Sequence, residues 1–176
     1  MTRTKVLLSW LFSTALVAIT AAQSWQSFEV SESAGGGAIQ ITGFQAFPVI
    51  GTLISLQVVT ILVSLLVKPI VSRILAAATL PLMIWSLFEV VLTSELQVRE
   101  ALVSVLAART GVVQDLSTSE FLVSSSVGVF STLFLVSAAL NALVLAFYAL
   151  IPIKHQKPKA AKSKREQPED LWSSQN

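Results

Sequence analysis

The chain has no cysteine and a single histidine, His155. The first absence excludes disulfides, thiolate metal sites and a cysteine nucleophile. The second excludes a multi-histidine metal site and removes the usual general base. Charged side chains make up 12% of the 176 residues, about half the share of a soluble domain, which is too few to coat a water-facing globule. No phosphate-cradling glycine loop, HExxH or GxSxG elbow occurs in the sequence. Hydroxyls are plentiful, but nothing in the pattern activates them, so neither an enzyme nor a bound cofactor is expected.

What the chain has in quantity is apolar length: 53% of it is hydrophobic. A hydrocarbon core of about 30 Å takes roughly 20 apolar residues in a helix, because no water is present there to satisfy an open backbone. Four stretches meet or approach that length, at about 6–22, 47–67, 70–92 and 121–151. Arg3 and Lys5 precede the first, Lys68 and Arg73 flank the turn between the second and third, and a lysine-rich tail follows the fourth. The intervening loops are poorer in base. The positive-inside bias therefore places both termini and the middle turn in the cytoplasm, with the chain in the cell membrane. The first stretch also reads as a signal sequence, since Thr20-Ala21-Ala22 resembles a small-residue cleavage site. Retention is favoured because 6–22 reaches the lower limit for a span and Trp25 suits an outer interfacial anchor.

Two outer segments are expected. Residues 24–43 partly alternate around Gly35-Gly36-Gly37 and read as a β-hairpin, with Trp25 and Phe28 at the interface or in a docking surface. Residues 94–110 read as an amphipathic helix that starts at the Ser94/Gln97 cap and stops near Gly111. Leu96, Leu102, Val103 and Leu106 fall on one side of it, while Arg99 falls on another and joins Trp25 and Phe28 as an interfacial or docking residue. Ser117 with Glu120 looks like the cap of the last helix, whose Ser124, Ser125 and Ser126 would form a projecting turn.

Within the spans three residues stand out. Glu89 is a carboxylate in an apolar run, costly at the bilayer centre, although its place near the outer end suits a surface contact better than a substrate path. Asn141 can hydrogen-bond across to another helix. Pro81 removes a backbone donor midway along the third span. Small residues four apart, such as Ser9 with Ser13 and Ala138, Ala142 and Ala146, allow close helix contact, and they suit a homo-oligomer or another membrane protein as partner. The basic tail (154–176) has a disordered composition. Directly inside a span it suits anionic lipid rather than nucleic acid.

Several short features carry a family resemblance: Ser24-Trp25 after the first span, Ile41-Thr42-Gly43 and Pro48 before the second, Ser86-Leu87 in the third, Val98-Arg99 in the outer loop, and the tail motif Glu169-Asp170-Leu171-Trp172. In this order they resemble the tryptophan-associated transmembrane protein family of actinobacteria. The resemblance implies a retained first span and a link to tryptophan biosynthesis, and it brings no catalytic or binding residues. The expected fold is therefore an all-α membrane protein, a four-transmembrane-helix bundle with a small outer β-hairpin and an outer amphipathic helix. The expected role is accessory or scaffold. The alternative is a transporter, or transporter subunit, for a small metabolite such as an aromatic amino acid.

Overall fold

Apolar runs bounded by proline and glycine set most of the element limits. In this computed structural model, residues 3–32, 36–111 and 122–150 are described; the expected basic tail and the Ser117/Glu120 cap lie outside them. The elements are α1 (Arg3–Ala22), β1 (Ser24–Val30), β2 (Gly37–Thr42), the short α2 (Gly43–Ala46), α3 (Pro48–Leu66), α4 (Pro69–Thr110), β3 (Leu122–Val127) and α5 (Val129–Leu150). Pro48 and Pro69 open α3 and α4 at the first helical turn, where a missing N–H costs nothing. Among the described residues, α1, α3, α4 and α5 are each long and apolar enough to cross a membrane.

The structure corrects the expected fold in two places. The expected span 70–92 and outer helix 94–110 are one helix of 42 residues, about 63 Å long at 1.5 Å per residue. No glycine or proline separates residues 82–110, so the Ser94/Gln97 pair has no break to cap. Thr93 Oγ1 instead donates back to the Glu89 carbonyl at 2.7 Å inside the continuing helix. The helix ends as expected at Gly111, which takes φ 71° and donates to the Ala107 carbonyl at 2.9 Å. Leu102 and Leu106 are buried, as is Val98, whereas Leu96 is exposed.

The second correction concerns the hairpin. β1 pairs antiparallel with β2, and on its other edge with β3, giving a three-stranded sheet in the order β2-β1-β3. The serine triplet 124–126 thus lies in a strand rather than in a helical turn. Serine competes poorly for helix because its hydroxyl bonds nearby backbone, and pairing with Glu29, Phe28 and Ser27 satisfies the strand directly. The last helix starts only after Gly128, whose N–H donates to the Trp25 carbonyl at 2.7 Å. A Cβ at Gly128 would lie 2.8 Å from the Ser24 carbonyl oxygen, so this crossing requires glycine.

In the helical layer α5 packs against α1 and α4, and α3 packs against α1 and α4. The inward positions of α4 over its first half are Ser72, Ala76, Thr79, Met83, Ser86 and Val90. They alternate four and three apart, the spacing of a left-handed helix seam. Small and hydroxylated side chains fill this seam, while Leu66, Trp85, Phe88 and Leu92 on the outside are 63–88% exposed. The sheet layer buries its larger apolar side chains on β1 and β2. Trp25, Phe28, Val30, Ile39 and Ile41 are buried, Gln40 and Glu29 are exposed, and the far half of α4 lies against β2.

Candidate functional site: a neutral polar cluster at helix mid-height

Halfway along three helices, uncharged polar side chains meet. Gln57 is the central residue of the 19 in α3, and its side chain is buried beside α1. Trp10 Nε1 donates to Gln57 Oε1 at 3.1 Å. An indole N–H can only donate, so this bond fixes which end of the Gln57 amide faces α1. Ser13 Oγ lies 2.9 Å from the Trp10 carbonyl, which takes its proton. Thr14 Oγ1 lies 2.8 Å from Gln57 Oε1 and 2.9 Å from the Trp10 carbonyl, two acceptors within reach of its one proton.

Both hydroxyl oxygens then have lone pairs to offer. The Asn141 Nδ2 group of α5 fills them, donating to Ser13 Oγ at 3.0 Å and to Thr14 Oγ1 at 3.1 Å. Three helices are thereby joined without a charge. Each interhelical bond of this kind contributes roughly 0.6–2 kcal/mol in a membrane. Two atoms remain over: Gln57 Nε2 and Asn141 Oδ1 are buried and have no hydrogen-bond partner. Left so, each orphan costs about 1–3 kcal/mol.

Further contacts extend the seam towards both ends. Tyr148 of α5 shares a hydrogen bond with Ser72 of α4, and its ring lies 5.9 Å from that of Trp10. Thr20 and Ser137 share one at 3.1 Å between α1 and α5. At the Lys68 end of the bundle, Arg3 Nη2 donates to the Val67 carbonyl at 2.8 Å and to that of Ser64. A guanidinium there meets the unpaired carbonyls and negative dipole end of α3. At the opposite end Trp25 Nε1 donates to the Thr20 carbonyl at 3.0 Å, and its ring packs 4.9 Å from Phe134 and 5.9 Å from Phe47.

The residues singled out in the sequence do not come together. Asn141 is fully buried in the cluster. Pro81 is on the exposed side of α4. Glu89 is half-buried in an open groove of about 350 Å³ lined by Trp85, Phe88, Leu92 and Thr93, all from α4 itself. Trp25 and Phe28, expected at an outer interface or docking surface, are 1% and 5% exposed. Trp25 packs against Phe47 and Phe134, and both Trp25 and Phe28 belong to the buried core. Arg99 is exposed.

Gln57, Trp10, Thr14, Ser72 and Tyr148 were missed. An amide at the centre of an apolar run was the available signal for Gln57, since such groups are costly in lipid without a partner. Nothing local marks Thr14 or Ser72, because a single helical hydroxyl satisfies itself on the preceding turn. No protein-family model, curated protein or solved structure matches the chain.

Proposed function

We propose that the chain is a non-enzymatic, four-span protein of the bacterial cell membrane, with both termini cytoplasmic, that acts as an accessory or scaffold protein. The observation that carries this reading is the apolar outer surface of the helical layer, where Phe12, Leu62, Trp85, Phe88 and Leu143 are exposed while Gln57, Asn141 and several hydroxyls are buried beside Trp10, Phe134 and Leu145. In water such a surface would aggregate; in lipid it is the stable arrangement. The first span belongs to the body, because α1 supplies Trp10, Ser13 and Thr14, and cleavage after Ala22 would strip the protein partners from Gln57 and Asn141. The sheet and the far half of α4 then stand on the outer face. Anionic lipid at the basic end and a second membrane protein or copy along α4 are the partners this layout suits. The link to tryptophan biosynthesis rests on the family resemblance.

One observation favours the competing carrier reading: Gln57 and Asn141 keep polar atoms unpaired inside the bundle. Against it, the side chains of the cluster are all uncharged. The ammonium and carboxylate of an amino acid would lose their hydration there with no counter-charge in return. Tryptophan uptake and efflux in cells with and without the protein tests the choice. The accessory reading expects equal fluxes. A flux that needs the protein and disappears in Glu89→Gln would establish the carrier instead. Reporter tags at Met1 and Asn176 should both label from the cytoplasmic side, and labelling from opposite sides would overturn the threading.

A further inference from the structure

Four buried polar atoms among the described residues have no partner, at Arg3, Ser64, Gln57 and Asn141, and the two in the mid-height cluster are a donor group and an acceptor. Gln57 Nε2 has its hydrogens unused, and Asn141 Oδ1 has its lone pairs unused. Gln57 cannot turn to cure this. Turning Gln57 would face an NH2 towards the Trp10 N–H, which has nothing to accept with. Asn141 as placed donates to Ser13 and Thr14, whose hydroxyls face the Trp10 carbonyl and, for Thr14, Gln57 Oε1 as well. In this arrangement the two spare atoms are Gln57 Nε2 and Asn141 Oδ1. Both amides are hydrogen-bonded to the same Thr14 oxygen, which keeps each spare atom within about 5 Å of it. Buried groups of this kind are almost always paired in native proteins, through ordered small molecules where protein groups do not reach.

We propose that Gln57 and Asn141 form a two-point site for one small uncharged molecule, which accepts a hydrogen bond from Gln57 Nε2 and donates one to Asn141 Oδ1. The inference depends on the two amides and the folded bundle; its placement near the bilayer centre rests on the membrane reading above. A charged occupant is excluded by desolvation, since the surrounding Trp10, Ser13 and Thr14 side chains are neutral. A purely apolar occupant would leave both atoms as they are. Water and a primary carboxamide share the required chemistry, and both are small enough to lie among packed helices.

The sequence makes the test direct, because it contains only two asparagines, Asn141 and Asn176. Solid-state NMR of folded protein carrying ¹³C,¹⁵N-asparagine gives two side-chain carbonyl signals, and Asn141→Leu assigns them. The expected result is magnetisation transfer to the Asn141 carbonyl from a proton that belongs to no protein group. Labelled acetamide, added in excess, then identifies the occupant. Transfer from acetamide shows that the site admits a carboxamide, and persistent transfer from the water resonance shows that it holds water. Correlation of Asn141 with protein protons alone, in both samples, overturns the proposal. In Gln57→Met the non-protein peak should be lost while the Asn141 contact to Ser13 persists. An unchanged peak would overturn the two-point geometry even if Asn141→Leu failed to fold. Partition into bilayers is scored separately: a chain that folds without lipid ends the membrane reading and leaves the Asn141 experiment intact.

Discussion

The two layers of this protein differ in the polar groups they bury and in how much apolar surface they expose. In the sheet layer, Trp25, Phe28, Ile39 and Ile41 point inward and Gln40 and Glu29 outward, as hydrophobic burial in water requires. In the helical layer, Gln57, Asn141, Ser72 and Ser137 point inward beside Trp10, Phe134 and Leu145, while Val59, Leu62, Phe88 and Leu143 are exposed. A single helix passes through both regimes. Along α4 the buried positions change from Ser72, Thr79 and Ser86 to Val98, Leu102 and Leu106, and the change falls near Glu89. From Pro69 to Glu89 the helix rises about 30 Å, the thickness of a hydrocarbon core. The comparison teaches that burial follows the local solvent: where the surroundings are apolar, only close packing and hydrogen bonds remain to select an inside.

The most damaging way to break the comparison is at the junction of the layers. Trp25→Ala removes the ring between Phe47 and Phe134 together with the bond to Thr20. We expect a loss of about 3–5 kcal/mol, read as a fall in the denaturation midpoint in detergent. A pair of lysine substitutions tests the two solvents directly. Val59 is exposed near the centre of α3 and Gln40 is exposed on β2. Val59→Lys should cost about 2.5–3.5 kcal/mol of membrane insertion, whereas Gln40→Lys should change stability by less than about 0.5 kcal/mol. Equal effects at the two sites would erase the contrast between layers.

Smaller changes sharpen it. A Cβ at Gly43 would sit 2.5 Å from the Trp25 ring and 2.9 Å from the Ala21 carbonyl oxygen. Gly43→Ala should therefore cost about 1–3 kcal/mol through overpacking, and Gly37→Ala serves as the contrasting site where strain arises only from φ 88° with open space around it. Within the polar cluster, a double-mutant cycle between Thr14→Val and Asn141→Leu should give a coupling of about 0.6–1.7 kcal/mol, measured by reversible unfolding in mixed micelles. A coupling of zero would mean that the bundle is held by packing alone.

Much of this was legible in the residue order. Runs of apolar side chains locate the four long helices, and Gly111 marks the end of α4. Two strands beside the glycine tract were also readable, because alternation and glycine act locally. The third strand was not, since Leu122–Val127 becomes a strand only through the unpaired edge of β1, a partner 95 residues away at Glu29 and Ser124. The continuity of α4 was hidden by a capping pattern that describes helix starts equally well inside a helix. Asn141 could be singled out as a hydrogen-bonding group, but its partners could not.

By itself the sequence determined which segments are long and apolar enough to cross a membrane, which breaks are basic, and which metal and thiol chemistries are excluded. Those properties are sums over neighbouring residues, so they need no fold. Tertiary structure alone decided that Gln57, Thr14 and Asn141 meet, that Trp25 is internal, and that two amide atoms are left unpaired. Each of those outcomes depends on the directions of side chains from helices distant in the chain. Helix periodicity orients each helix face, but it does not choose the face opposite.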